Sequence, residues 1–360
     1  MYLSLQICRA LAALMVVCFH VSGHLHRADH LGEAAALAHR LCSFGDAGVP
    51  FFFVLSGFIV TRVHRHEFNQ PARALPYLIK RAIRIYPIYW LVFGVTYVGL
   101  RLMSPGNPLL PPDTPTLLWS VLLLPQRDIV WGMSGAPVVF VAWTLQYEIA
   151  FYALLALAFV RTWWLLLPLL LVLLNRAWSV LGTDWWSYFI SNNLVMLLAL
   201  GSAWGLLLPV AALPRKIAAW LIAVGGLGFL TMAVWEIGFP REHDINRTLV
   251  YGVFCMVLVL GLVALEDSGW RPSSNSIWVR LGDASYSLYL IHAPWMSLAT
   301  LPVLALERHT HVISKLGGWG GGLTTAAITL CACWAALQCH VHIERPLTQF
   351  AKRLAAGFTA

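Results

Sequence analysis

Long apolar stretches separated by short polar ones run along almost the whole chain. A helix needs about 20 apolar residues to cross a bilayer, and Pro, Gly and charged clusters mark where such stretches end. The pattern predicts about ten membrane-spanning helices, which begin near residues 6, 46, 85, 137, 163, 188, 216, 247, 281 and 318. The apolar stretch Leu117–Leu124 is too short to span, so we expect a re-entrant or interfacial piece of an outer loop there.

Composition supports a membrane protein and excludes the other broad classes. Of 360 residues, 59% are hydrophobic and 11% are charged, whereas soluble domains carry about 25% charged residues. A soluble globule, a disordered chain and a disulfide scaffold are therefore all excluded. We predict an all-α, polytopic helical bundle, with one transmembrane domain over residues 1–346 and a short cytoplasmic tail over residues 347–360.

The net charge of +8 is a topology signal in a membrane protein, because Lys and Arg concentrate in cytoplasmic loops. Placing both termini in the cytoplasm puts the strongest basic cluster, residues 62–84, on the inner side. No basic run alternates with aromatics, so we expect no nucleic-acid partner. The first apolar segment contains Arg9 and His20, which is unlike a secretory signal, and we interpret it as a retained span.

Four ionisable residues lie inside apolar segments, at an insertion cost of roughly 2.5–3.5 kcal/mol each, and such residues are candidates for function. They are Arg9, His20, Glu148 and His292. Arg9 and His20 are eleven positions apart, which is about three helical turns, so both share one face about 16 Å apart. This spacing suits a long ligand with an anionic head held by Arg9 and a reactive tip that meets His20 as general base. Alternatively, Arg9 snorkels and His20 bonds to a neighbouring helix.

Glu148 is expected at a membrane depth comparable to that of His20. A carboxylate at that depth needs a partner, and pairing with His20 would orient the imidazole. A hydrogen bond to a Tyr, a Trp or water within the bundle is the alternative.

Two further motifs have both a functional and a structural interpretation. Arg81 and Arg84, spaced i, i+3 at a helix start, could hold a polyphosphate, or they could bind anionic lipid headgroups. Ser56-Gly57 would let two helix backbones approach closely and offers a hydroxyl to a neighbouring helix.

The remaining histidines are given no role by their positions. His20 and His24 have helical metal-ligand spacing, but no third ligand can be placed, so we predict no metal site. His64 and His66 look like ordinary loop and span-end residues.

Taken together, these segments resemble the membrane acyltransferase family 3, which includes bacterial O-acetylases of O-antigen, exopolysaccharide and other surface glycans. The landmarks occur in the family's order and cover residues 5 to 346. They are the segment Leu5 to His20 with its Arg9-x10-His20 spacing, the Phe-Phe-Val-Leu-Ser-Gly-Phe run ending at Phe58, Arg81-x-x-Arg84-Ile-Tyr-Pro87, the segment Trp143 to Tyr152, the segment Gly282 to His292, and Glu344-Arg345-Pro346.

The resemblance implies an O-acyltransferase of the bacterial inner membrane. Cytoplasmic acyl-CoA, with acetyl-CoA as the expected donor, would supply the acyl group, and a hydroxyl of a polysaccharide or lipid-linked glycan would accept it. It implies catalytic roles for His20 and Glu148, CoA binding by Arg9, Arg81 and Arg84, and substrate or structural support from Trp143, Ser56, Tyr286 and His292. No metal is implied, membrane lipids surround the protein, and an oligomer is possible.

Several alternatives stay open at this point. Direct transfer and an acyl-His20 intermediate are both compatible with the motif, as are different acceptors and acyl chains, and a need for a partner enzyme. A transporter of a glycan or an anionic metabolite could use the same polar residues, although no internal repeat is detectable. A third hypothesis is that the protein is a sensor or an assembly partner for a glycan synthase.

Overall fold

The computed structural model describes residues 2–126, 136, 138–178, 185–207, 213–239 and 245–359, and these form helices and turns without a β-strand. The predicted all-α, polytopic membrane bundle is confirmed. The α-helices are α1 Leu3–His26, α2 Ala36–Leu41, α3 Gly48–His64, α4 Ala74–Met103, α5 Thr114–Val121, α6 Trp143–Ala156, α7 Leu167–Trp178, α8 Trp185–Ile190, α9 Asn193–Leu207, α10 Arg215–Gly238, α11 Ile245–Asp267, α12 Ile277–Asp283, α13 Ser285–Thr310, α14 Val312–Lys315, α15 Gly318–Cys339 and α16 Arg345–Thr359.

Within the described residues, eight helical segments are long and apolar enough to cross a membrane. They are Leu3–His26, Ser43–His64, Pro71–Met103, Phe140–Phe159, Arg215–Gly238, Arg247–Asp267, Ser285–Thr310 and Gly318–Ala355. The two other spans predicted from the sequence, near residues 163 and 188, coincide with the shorter apolar helices α7 and α9. Ten crossings and cytoplasmic termini stay predictions.

The chain forms two compact units. Unit 1 comprises Met1–Leu55 and Pro209–His340, and unit 2 comprises Ser56–Leu208 and Val341–Ala360. In unit 1, helix α1 packs against α12, α13 and α15. The core around α1 consists of small and aliphatic side chains, among them Ala13, Val17, Leu288, Ile328 and Ala332. Such small residues let helices approach closely inside a membrane.

The start of α1 is fixed by two contacts within unit 1. The buried Glu266 carboxylate at the end of α11 accepts hydrogen bonds from the backbone N–H groups of Leu3 and Ser4, both at 2.9 Å, and from the Ser4 hydroxyl at 2.6 Å. An acidic group is favoured here because the first N–H groups of a helix lack intrahelical partners. Gly282 of α12 crosses α1 so closely that a Cβ there would lie 2.0 Å from the Gln6 carbonyl oxygen.

A charged cluster ties α10, α11 and the segment before α3 together in unit 1. The Arg247 guanidinium donates to both oxygens of Asp46 and to both oxygens of Glu236. Tyr251 also donates to Glu236, at 2.9 Å. Two carboxylates thus share one guanidinium, which compensates their burial because charged groups are stable inside a protein only when they are paired.

In unit 2, α3 and α9 touch backbone to backbone at Gly57, where a Cβ would lie 2.2 Å from the Leu198 carbonyl oxygen. The predicted close approach at Ser56-Gly57 is confirmed. The apolar stretch 117–124 forms the last part of α5 and the turn after it. Three aromatic side chains of α4, Tyr86, Tyr89 and Trp90, donate hydrogen bonds to the carbonyls of residues 120–122.

The segment predicted as a cytoplasmic tail is helical over most of its length, since it lies within α16. This helix packs against α4 in unit 2. A single turn of π-helix, His340–Glu344, leads from α15 into α16.

Candidate active site

Arg9 and His20 both belong to α1, which is helical without interruption from Leu3 to His26. Eleven residues of regular helix leave the two side chains about 20° apart around the axis and about 16 Å apart along it. Arg9 donates to the Gln6 side-chain oxygen at 3.4 Å, one turn closer to the start of the helix. The continuous helix therefore carries both residues on one face, as the spacing predicts.

His20 meets His292 of α13 within unit 1. The Nδ1 atom of His20 lies 2.9 Å from the Nε2 atom of His292, and the two ring planes are nearly parallel, 15° apart, with their centroids 5.1 Å apart. His292 is 1% exposed, whereas His20 is partly exposed. Two of the four ionisable groups selected from the sequence thus form one contact.

The hydrogen bonds assign the protons of this pair. The Nδ1 atom of His292 lies 2.7 Å from the Tyr289 carbonyl oxygen, which can only accept, so Nδ1 carries the proton. In a neutral ring Nε2 of His292 then accepts, and the donor must be the Nδ1–H of His20. The lone pair of neutral His20 consequently resides on Nε2, the nitrogen on the far side of the ring from His292. This tautomer is the one that a general base acting through Nε2 requires.

A second polar cluster lies in unit 2 around Glu148 of α6. The Oε1 atom of Glu148 accepts hydrogen bonds from Tyr152, one turn later in α6, and from Ser56 of α3 at 3.1 Å. These donors compensate for the desolvation of a carboxylate inside an apolar helix. Glu148 and His20 belong to different units, and the proposed pairing of the two stays a prediction.

The two arginines of the Arg81-x-x-Arg84 motif have different surroundings. Arg81 is half-buried, and its guanidinium carbon lies 5.5 Å from the ring centroids of both Tyr77 and Tyr152. Arg84 is exposed. Because Tyr152 also binds Glu148, Arg81 joins the cluster around that carboxylate.

His64 was interpreted from its sequence position as an ordinary span-end residue; it does end α3, but it is buried and both of its ring nitrogens have partners. It is 4% exposed and lies at the end of α3. Its Nε2 atom lies 2.8 Å from Nη2 of Arg81, and its Nδ1 atom lies 2.6 Å from Oε2 of Glu67. The hydrogen bond from His64 lowers the pKa of Glu67 below its usual range. The i, i+3 spacing of His64 and Glu67 was the available signal.

The remaining support residues have less defined surroundings. Trp143 begins α6, and its ring meets the edge of Tyr147 at 6.0 Å between centroids. Tyr286 lies in the first turn of α13 and is half-buried. Their roles stay predictions. Among the described residues, no group of three or more His, Cys, Asp or Glu side chains is arranged to hold a metal ion.

Comparison with known proteins identifies the class. The acyltransferase domain family matches residues 2–338. The chain belongs to the membrane acyltransferase family 3, and it is a multi-pass membrane acyltransferase. The resemblance seen in the motifs is confirmed.

Relatives from several bacteria are similar to this chain over most of its length. The exopolysaccharide production protein ExoZ of Rhizobium meliloti is 30% identical over 337 residues, which cover 91% of this chain and 98% of that protein. The acyltransferase MdmB of Streptomyces mycarofaciens is 24% identical, covering 79% and 76%. The peptidoglycan O-acetyltransferase OatA of Listeria monocytogenes is 22% identical, covering 83% of this chain and 50% of that protein. No solved structure is significantly similar to the chain.

Proposed function

We propose that this protein moves an acyl group, with acetyl as the expected one, from cytoplasmic acyl-CoA to a hydroxyl of an exported polysaccharide or lipid-linked glycan at the bacterial inner membrane. The contact between His20 and His292 carries the proposal, because it supplies a neutral imidazole with its lone pair on a defined nitrogen. The similarity to ExoZ over nearly the full length of both chains supports an exopolysaccharide as acceptor.

In the proposed reaction, the acceptor hydroxyl gives its proton to Nε2 of His20 while its oxygen bonds to the thioester carbonyl carbon. The tetrahedral intermediate then collapses, the carbon–sulfur bond breaks, and the CoA sulfur takes the proton back from His20. General base catalysis of this kind contributes roughly 10²–10⁴-fold. During the step His292 remains the acceptor for Nδ1–H and so keeps the His20 ring oriented.

Arg9 would hold a phosphate of CoA by a charge-assisted hydrogen bond. The spacing of about 16 Å along α1 lets one extended ligand reach from Arg9 to His20, and it is the reason for preferring direct transfer over an acyl-His20 intermediate. Glu148 would act with His20 as the second catalytic group, and Arg81 and Arg84 would contact further phosphates at the entrance.

A deletion strain complemented with variants tests the proposal. We expect His20→Ala to remove one acetyl increment from the surface glycan, read by mass spectrometry, while the protein stays abundant in the membrane. His24→Ala, one turn further along α1, is the matched control and should keep the increment. Full acetylation with His20→Ala would contradict the mechanism.

Turnover of acetyl-CoA by the purified protein in detergent tests the donor separately. We expect wild-type protein to release CoA in the presence of the isolated glycan, and His20→Ala not to do so. Glycan flux into vesicles without any CoA release would instead indicate a transporter. Transient label on the protein after mixing with labelled donor alone would indicate the acyl-His20 route.

A further inference from the structure

A hydrogen-bonded chain in unit 2 leads from Glu67 through His64 to Arg81. Arg81 has only donors, so His64 must accept at Nε2 and must carry its proton on Nδ1, which donates to Glu67. The tautomer of His64 is therefore fixed from both sides. Arg81 Nη2 is held in turn, and the tyrosine rings at 5.5 Å limit the tilt of its guanidinium plane.

Two donors beside this chain lack a hydrogen-bond partner among the described residues. They are the buried Nε–H of Arg81 and the hydroxyl of Tyr77, whose side chain is 1% exposed. Tyr77 and Arg81 are spaced i, i+4 on α4, and the guanidinium lies against the Tyr77 ring. Buried donors are nearly always satisfied in native structures, so two unsatisfied donors on residues one helical turn apart indicate a ligand with acceptor oxygens.

The charges nearby favour an anion as that ligand. Arg73, Lys80, Arg81 and Arg84 act electrostatically on this cluster, against the two carboxylates Glu67 and Glu148. Four cations against two anions leave an excess of positive charge for a phosphate group, which can accept from both donors at once.

We propose that His64 and Glu67 are positioning residues that orient Arg81, so that its Nε–H and the Tyr77 hydroxyl together bind one phosphate group of the acyl donor. The inference rests on the proposed function, because it takes CoA as the donor. It adds a specific subsite made by Arg81 and Tyr77, and it gives His64 a defined task.

Binding of coenzyme A and of pantetheine, which lacks phosphate, to the full-length protein in detergent tests this inference by calorimetry. His64→Asn places its amide near the Nδ1 position and removes the acceptor for Arg81, so we expect roughly tenfold weaker CoA binding, the worth of one charge-assisted hydrogen bond. His64→Gln can place an oxygen near the Nε2 position and should bind CoA within about threefold of wild type.

Three further binding measurements complete the experiment. Tyr77→Phe keeps the ring and loses the hydroxyl, and it should weaken CoA binding several-fold. His66→Asn, the exposed neighbouring histidine, should bind CoA as wild type does. Pantetheine should bind equally to all variants, because no phosphate is present to be held.

Each result decides a separate point. Normal CoA binding by both His64→Asn and Tyr77→Phe would overturn the subsite while leaving CoA as donor. An equal loss for CoA and pantetheine would also overturn it, since it would indicate general damage to the fold. Failure of wild-type protein to bind CoA would contradict the donor itself, and the subsite with it.

Discussion

The Nδ1 atom of His20 lies 2.9 Å from the Nε2 atom of His292, and this contact joins the first helix to a helix 272 residues away in sequence. His292 receives its own orientation from the Tyr289 carbonyl oxygen one turn earlier in α13. His20 donates to His292, and His292 donates to the backbone carbonyl of Tyr289, so both hydrogen bonds point in the same direction. His292 is therefore the group that decides which nitrogen of His20 carries the lone pair.

Replacing His292 tests this dependence. His292→Phe keeps a ring in the buried position but leaves the Nδ1–H of His20 without this acceptor, so the imidazole can rotate and change tautomer. We expect kcat for acyl transfer to fall about 10²-fold or more, with the KM for the donor little changed. Steady-state kinetics in detergent measures both.

Two controls accompany His292→Phe, one at another histidine of the same helix and one at position 292 itself. His309→Ala removes an exposed histidine of α13 and should leave kcat unchanged. His292→Gln can present an oxygen near the Nε2 position and should recover part of the activity. Equal rates for His292→Phe and wild type would show that His20 needs no orienting partner.

The cluster around Glu148 gives a graded prediction. Glu148→Gln removes the charge while keeping the shape, and we expect at least a tenfold loss of kcat if the carboxylate takes part in catalysis. Ser56→Ala should cost less, because Tyr152 still donates to Glu148. Glu33→Gln, an exposed acid in unit 1, serves as control. A Glu148→Gln variant as active as wild type would reduce Glu148 to a packing role.

Gly282 offers a steric test of how α1 is held. Gly282→Ala would place a Cβ 2.0 Å from the Gln6 carbonyl oxygen, so α12 and α1 must separate. We expect the free energy of unfolding to fall by about 1–3 kcal/mol, the usual cost of overpacking. Thermal unfolding in detergent, followed by loss of the monodisperse protein, provides the measurement.

Gly99 is the matched control for Gly282. It lies in α4 with no atom within 4 Å of an added Cβ. Gly99→Ala should be neutral or stabilise the helix by up to about 1 kcal/mol, because alanine has the higher helix propensity. The same loss of stability in both variants would refute the steric explanation.

Glu266 gives a separate prediction for the start of α1. Glu266→Ala leaves three donors at the beginning of α1 without this acceptor, and we expect a loss of about 2–4 kcal/mol in the free energy of unfolding, together with lower activity. Asp267→Ala removes the adjacent exposed acid, which accepts from Tyr2 at 3.2 Å, and should cost under about 1 kcal/mol. Equal losses of stability in Glu266→Ala and Asp267→Ala would show that the hydrogen bonds from α1 to Glu266 are not the cause.

The sequence was sufficient for the helical class, for the continuity of α1 and for the shared face of Arg9 and His20, because these depend on hydropathy and on local helical periodicity. It was also sufficient for the close approach at Gly57, since only a small residue permits it. Most predicted starts of the spans lie within about five residues of a helix start, but the third was expected near residue 85 and α4 begins at Ala74, because its first turns carry the basic residues that were taken for a loop.

The partners of the ionisable residues were not predictable, because they come from distant parts of the chain. His20 was expected to pair with a carboxylate, yet its contact in unit 1 is a second histidine. His64 was interpreted as an ordinary span-end residue. Its importance depends on Arg81, 17 residues away, and appears only once α3 and α4 are folded side by side.

Helix α1 is uninterrupted, and the Glu266 carboxylate fixes the position of its first turn. Because the helix is uninterrupted between Arg9 and His20, the number of residues between them fixes both the distance and the relative direction of their side chains. Inserting a single residue there would turn His20 by about 100° relative to Arg9 and shift it by about 1.5 Å, so it could no longer meet His292 while Arg9 kept its place. The length of this interval, more than the identity of the residues within it, is what selection should preserve.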